Sequence, residues 1–279
     1  MIGAVYRPAC LEELWPLLDT GAAAMAGGTD LLVRRRGGEP CDVALLSGIA
    51  SLGEIVGENG WLRIGAAATH AAMARHPLIR DGLPGLAGAL GTLGSPLVRN
   101  MGTIGGNIVT ASPAADTLPP LYALDARVEL VSAGGMRQLA LADFLVGPGR
   151  TVLMPGEIVA AVLVPPPLAG ARHHFEKVGR RNALAVAVAS LAAVIATAAD
   201  GRVAEARIAV GSVAPTVVRC TAAEAALVGR RLTRQTLSEA AACIRQAVSP
   251  IDDVRATAAY RRQVAGNLLL RLCPGPDAV

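Results

Sequence analysis

The chain has 279 residues, about twice the usual domain length, so two packed domains, each burying its own core, are the first expectation. Its 26 basic and 22 acidic residues leave a formal charge of +4 but are scattered, which argues against the clustered basic face that nucleic-acid binding needs. The cysteines, Cys10, Cys41, Cys220, Cys243 and Cys273, form no CxxC pair and read as buried reduced thiols. No secretory signal precedes Arg7-Pro8, so a cytoplasmic home is expected.

In chain order, a short helix is expected over Leu11 to Leu18, broken or begun near Pro16, then strand-like runs at Ala22 to Thr29, Val43 to Leu46 and Trp61 to Ile64. Thr69 to Arg75 reads as a helix capped by Thr69 and stopped by Pro77. Ala126 to Ser132 and the return through Arg137 to Leu141, about Gly134-Gly135, read as a hairpin. Val162 to Val164 then run into Pro165-Pro166-Pro167, which neither sheet nor helix continues, so the domain boundary falls there: 1-167, with two α/β subdomains divided near 55, then 172-279.

Ala183 to Ala199 is uncharged and nears the length of a membrane span. It is mostly alanine, and Asp200-Gly201 followed by Val203, Ala204, Ile208 and Val210 makes it the first strand of a hairpin. Beyond it, Thr221 with Glu224 and Thr236 with Glu239 each fit a capping box, and a last helix is expected from about Asp253 to Leu272, ended by Pro274.

Two glycine loops carry the chemistry. Ala26-Gly27-Gly28-Thr29-Asp30 follows an apolar run, and Thr103-Ile104-Gly105-Gly106-Asn107 lies in a dense turn region. Paired glycines let backbone approach a ligand and aim successive N–H groups into one concavity, a way to hold phosphate without charged side chains. Taken one at a time they are also ordinary turn sequences. Neither fits GxGxxG or GxxxxGK[ST], which argues against a Rossmann dinucleotide unit and a P-loop and leaves another phosphate-bearing cofactor. Asp116, between Pro113 and Pro119, reads equally as turn former or contact. The four histidines, His70, His76, His173 and His174, fit no closed zinc set and read as solvent-facing or loop residues. Ser95 and Ser112 sit in no GxSxG elbow. Lys177 is the only lysine of the chain.

The string from Gly91 through Arg99-Asn100, Thr103 to Asn107 and on to Asp116 resembles the signature of the FAD-binding subunits of molybdenum hydroxylases, and the first loop is similar to that family's AGGTDLL. Arg7-Pro8, Asp125-Ala126, Thr151 with Pro155 to Ile158, Lys177 to Arg181, Gly211 to Pro215, Arg219, Asp253 to Arg255 and Tyr260 to Arg262 fall in family order, so the resemblance spans nearly the whole chain.

The resemblance implies an α+β fold: a two-part N-terminal FAD-binding domain of PCMH type, then a C-terminal domain of antiparallel sheet and helices of the CO dehydrogenase flavoprotein type. It implies FAD as cofactor, contacted by Ala24, Met25, Ala26, Gly27, Gly28, Thr29, Asp30, Leu93, Thr103, Ile104, Gly105, Gly106, Asn107, Asp116, Val159 and Lys177, the two loops at the pyrophosphate. Lys177 is expected near the flavin ring. With 3% aromatic residues, the ring would meet mostly aliphatic groups. Substrate oxidation and cluster chemistry fall to partners: a large molybdopterin subunit and a small [2Fe-2S] subunit, in a dimer of heterotrimers, with NAD or a quinone as final acceptor. No inserted cysteine loop for an extra cluster is present. A stand-alone FAD oxidoreductase acting on a small molecule and a non-catalytic scaffold of the same fold are the alternatives.

Overall fold

The computed structural model describes residues 2–181 and 184–273. The chain folds as two compact units that alternate along the sequence, the first built from residues up to Leu78, Gly94–Ala111 and Ala126–Pro166. The second comprises Ile79–Leu93, Ser112–Asp125 and the residues from Pro167 onward.

In the first unit, β1 (Ile2–Tyr6), β2 (Ala23–Met25) and β3 (Cys41–Leu45) form a parallel sheet in the order β1-β3-β2. A second sheet begins with β4 (Ile55–Glu58) and β5 (Trp61–Gly65), continues with β6 (Arg127–Ser132) and β7 (Gly135–Ala140), and is completed by a later strand. A small ladder, β8 (Leu145–Gly147) with β9 (Arg150–Thr151), leads to that strand, β10 (Ile158–Val164). β10 lies between β5 and β6, antiparallel to both, and its near-continuous burial fits its unbroken Val/Ile/Ala run. Leu14, Ala22, Ala44, Leu52, Ile158 and Ala160 join the two sheets in one core.

In the second unit, β11 (Arg172–Gly179), β12 (Ala187–Thr197), β13 (Val203–Gly211) and β14 (Val218–Arg219) form an antiparallel sheet in that order. The odd positions of β12, Ala189, Leu191, Ala193 and Ile195, face a core completed by the helices Thr221–Leu227, Arg234–Ala247 and Ala258–Leu270. Its other face packs against the helix Leu118–Ala123. A strand buried on both faces is built mostly of apolar residues, with Ser190 the buried exception in β12, and alanine lets the layers approach closely. Within the uncharged run Ala187–Thr197 is therefore strand, as its turn residues indicated, Ala183 lying outside the described residues, and among the described residues no helix is long and apolar enough to cross a membrane.

The hairpins at Gly134-Gly135 and Asp200-Gly201 form where expected, and Thr69 caps its helix by accepting from the Ala72 N–H at 3.1 Å. Other expectations are corrected. The helix Leu11–Asp19 runs through Pro16. The helix Thr221–Leu227 starts after Cys220 without a side-chain cap, because the Glu224 carboxylate is taken by the Arg219 guanidinium and the Ile208 N–H. The next capping box sits one turn early, at Thr233 and Thr236, while Glu239 pairs with Arg230 at 2.5 Å. The last helix begins only at Ala258, capped by Thr257, because Asp253 folds a turn by accepting from the Arg255 and Ala256 N–H groups; Pro274 lies outside the described residues. The turn region around Thr103 opens a helix, Ile104–Thr110. Of the cysteines, all of them free, only Cys220 is fully buried. Of the histidines, His70 is buried at the start of its helix, and His173 and His174 lie half-buried on β11.

Candidate functional site

In the first unit the first glycine loop packs backbone to backbone against Met101 and Gly102, just before the second loop. A Cβ on Gly27 would stand 1.7 Å from the Met101 carbonyl oxygen, so only glycine allows this approach. Gly28 has φ +67, in the left-handed region. Among the described residues, no acceptor takes the backbone N–H of Gly27, Gly28, Thr29 or Asp30. These successive donors, on the loop that follows Ala24 and Met25 of β2, are what an anionic group needs. The Asp30 carboxylate points elsewhere, pairing with Arg34 at 2.7 Å and accepting from the Thr110 hydroxyl at 3.0 Å. It therefore ties the first loop to the end of the helix that the second loop begins.

The second loop works differently from expectation. Its N–H groups are already satisfied: Ile104 donates to the Ala68 carbonyl at 3.1 Å, Gly105 to Ala66 at 2.9 Å, Gly106 to the Thr103 hydroxyl at 3.2 Å and Asn107 to the Thr103 carbonyl at 3.0 Å. It offers no comparable row of free amides, and the reason is that Thr103 caps the helix and the turn is pinned to the Gly65–Ala68 segment. A Cβ on Gly105 would fall 2.5 Å from that of Ala66, so this glycine serves packing. One on Gly106 would meet only the Thr103 hydroxyl, at 3.1 Å, leaving a bare backbone face. Ser95 and Ser112 are spent on local backbone, accepting from the Val98 and Ala114 N–H groups.

His70, which no motif marks, lies beside these loops: its N–H donates to the Gly102 carbonyl at 2.9 Å, and its buried Nδ1 has no partner. Burial and, secondly, the Arg99 charge push its pKa down to about 4, so the ring is neutral at pH 7. A buried histidine leaves no mark in a spacing argument. Val159 of β10 is buried in the same unit.

In the second unit Lys177, on β11, is almost wholly buried. Its ammonium donates to Asp116 Oδ2 at 2.5 Å, to the Thr92 carbonyl at 3.0 Å and to the Ala185 carbonyl at 3.2 Å, a full set of three. The Lys177 and Asp116 side chains are 10% and 9% exposed, which rules out a chance surface lysine. Burial pushes the Asp116 carboxyl above its usual range, and the Lys177 ammonium opposes this. Asp116 Oδ1 is buried without a donor. An orphaned acceptor of this kind fits a ligand hydroxyl or N–H. Leu93 is buried in this unit too.

Residues 1–167 match the model of the FAD binding domain in molybdopterin dehydrogenase, and 173–274 that of the CO dehydrogenase flavoprotein C-terminal domain. The chain belongs to the FAD-binding subunits of the molybdopterin dehydrogenases. It is 32% identical to the nicotinate dehydrogenase FAD-subunit of Eubacterium barkeri, covering 96% of this chain and 93% of that one. It is 30% identical to the carbon monoxide dehydrogenase medium chain of Afipia carboxidovorans, covering 95% and 93%. A crystal structure of Cu,Mo-CO dehydrogenase superposes with a TM-score of 0.92 at 30% identity, over 97% of this chain and 96% of that one. Membership makes the chain an oxidoreductase subunit with FAD as cofactor, and the row of free amides in the first unit fits the diphosphate of that group.

Proposed function

We propose that this chain is the electron-relay subunit of a molybdenum hydroxylase, taking electrons from the iron-sulfur clusters of a small [2Fe-2S] subunit and delivering them through FAD to an external acceptor, NAD or a quinone. A large molybdopterin subunit would oxidise the substrate, the whole forming a dimer of heterotrimers in the cytoplasm. The observation that carries this reading is the row of unpartnered N–H groups from Gly27 to Asp30 in a chain matched by FAD-binding relatives over nearly its full length. When bound, the flavin accepts electrons in pairs and releases them singly.

The protein's part is to hold and tune that group. Ala24 to Asp30 would bind the diphosphate through main-chain donors, and Thr103 to Asn107 would admit it over the bare face of Gly106. Leu93 and Val159 would give aliphatic contacts, and Asp116 would accept through Oδ1. Lys177, whose donors are all committed, would act mainly by fixing Asp116. Its field is largely that of a dipole with the carboxylate, weaker at a distance than that of a lone cation. The functional division would fall between residues 1-167, which would hold the diphosphate, and 172-279. The test is expression of the full chain alone and with its partners. The relay reading expects bound FAD in both cases and substrate turnover only with partners, whereas turnover by the isolated chain would indicate a stand-alone oxidoreductase.

A further inference from the structure

We propose, on the reading above in which Asp116 accepts from FAD through Oδ1, that the buried Arg261 is a positioning residue for this carboxylate. Both lie in the second unit, on elements packed against opposite faces of β12: Arg261 on the helix Ala258–Leu270, Asp116 just before the helix Leu118–Ala123. Ser212, directly after β13, connects them through its backbone.

Lys177 on β11, Ser190 on β12 and Gly211 on β13 are cross-strand neighbours in one row. At one end of this row Lys177 holds Asp116 Oδ2 at 2.5 Å. At the other, a Cβ on Gly211 would stand 2.7 Å from Ser190 Oγ and 2.8 Å from Pro119 Cγ, so glycine lets the segment from Pro113 to Pro119 settle on the sheet. Ser212 then donates its N–H to the Pro113 carbonyl at 2.8 Å. The segment that bears Asp116 is thus held from both ends of the row, by an ammonium and by a peptide N–H.

Ser212 is not relaxed. Its φ of 64 puts a non-glycine residue in the left-handed region, and its buried hydroxyl has no partner. Both features cost stability, so they persist only where the surroundings impose them. Arg261, 4% exposed, imposes this one: Nη1 donates to the Ser212 carbonyl at 3.1 Å and the Val188 carbonyl at 2.7 Å, while Nη2 pairs with Asp253 Oδ1 at 2.6 Å. One planar guanidinium therefore fixes two carbonyls and a carboxylate together. With its carbonyl held by Arg261 and its N–H by Pro113, Ser212 passes the position of the buried helix to the Asp116 segment. Hydrogen bonds weaken steeply away from their preferred angle, so a small displacement there misdirects Asp116 Oδ1, which is buried and has no donor of its own.

The test is a double-mutant cycle on FAD affinity, read by flavin fluorescence as the flavin-stripped full chain is titrated with FAD, with folding checked by circular dichroism. Arg261→Lys keeps the charge and the Asp253 pair, but an ammonium cannot serve both carbonyls in the guanidinium plane. Arg261→Lys and Asp116→Asn should each weaken FAD binding by about 10-fold, the scale of one hydrogen bond to a charged group. The double variant should bind no more weakly than Asp116→Asn alone, because Arg261 acts through that carboxylate. A residue that merely supports the fold gives independent losses, so a double variant weakened by about 100-fold overturns the positioning role. So does wild-type affinity in folded Arg261→Lys while Asp116→Asn stays weak, which leaves Asp116 in the site without this support. Wild-type affinity in Asp116→Asn instead defeats the Asp116 reading itself, and the positioning role with it. Should Arg261→Lys not fold, Asp253→Asn takes its place in the cycle and the same outcomes decide. It loosens the grip on Arg261 from the surface, while asparagine still accepts from the Arg255 and Ala256 N–H groups that shape the local turn.

Discussion

Replacing Lys177 by Met removes an ammonium with three acceptors and keeps most of the stem's volume. The consequence falls on Asp116, whose side chain is 9% exposed and would keep one buried oxygen without a donor and gain another. Stripping one partner from a buried ion pair costs about 3–5 kcal/mol. For a chain of this size that lowers Tm by about 10 °C, at about 2–4 °C per kcal/mol. The penalty depends on pH with a definite sign. Burial raises the Asp116 pKa above its ordinary 3.8, and without Lys177 it rises further. The folded variant then holds the proton more tightly than the unfolded chain, so its stability is intact below the unfolded pKa and is lost as pH climbs through the folded one. Thermal melts at neutral and mildly acid pH should show the deficit shrinking toward acid. Asp116→Asn added to Lys177→Met should restore most of the loss, since no uncompensated charge remains. A single variant melting within about 1 °C of wild type at neutral pH, or a double variant no better than the single, would refute the claim that this pair is buried and coupled.

The glycines should separate by role. Gly106→Val should fold within about 1 kcal/mol of wild type yet lose FAD, whereas Gly27→Ala and Gly105→Ala meet backbone or Cβ atoms at 1.7 and 2.5 Å and should destabilise the fold itself; circular dichroism melts paired with flavin content distinguish the two outcomes, and full FAD in folded Gly106→Val would remove the second loop from the site. Gly28→Val is a poorer probe, because φ +67 strains any β-branched residue. For His70, a folded pKa of about 4 against 6.5 means that the unfolded chain takes up the proton first as pH falls. Stability is then complete above about pH 6.5 and declines by about 3 kcal/mol towards pH 4, and His70→Gln should flatten that slope in urea titrations; an unchanged slope would show that His70 is not the titrating group.

Part of the architecture was legible because burial on both faces favours unbroken apolar strands: the alanine-rich run before Asp200-Gly201 could be read from composition and turn chemistry alone. The helix Pro84–Thr92 was not, since PGLAGALGT has little propensity or periodicity and is held by packing against β11. The capping boxes failed for a related reason. Thr-x-x-Glu is a local pattern, but Glu224 and Glu239 have stronger guanidinium partners in Arg219 and Arg230. Within the site, Lys177 stood out as the only lysine, but its partner Asp116 lies 61 positions away and no spacing rule reaches that far. The two glycine loops looked equivalent as text. Only the hydrogen bonding shows that the first leaves its amides free while the second consumes them in a helix start.

That these loops hold FAD in a relay subunit is tested by the flavin content of the purified full chain after heat denaturation. Stoichiometric FAD should appear in the supernatant over a colourless precipitate, because main-chain amides hold the cofactor and neither glycine loop contains a His or Cys. A wild-type chain that purifies without flavin, or flavin fluorescence that migrates with the polypeptide on a denaturing gel, would contradict it.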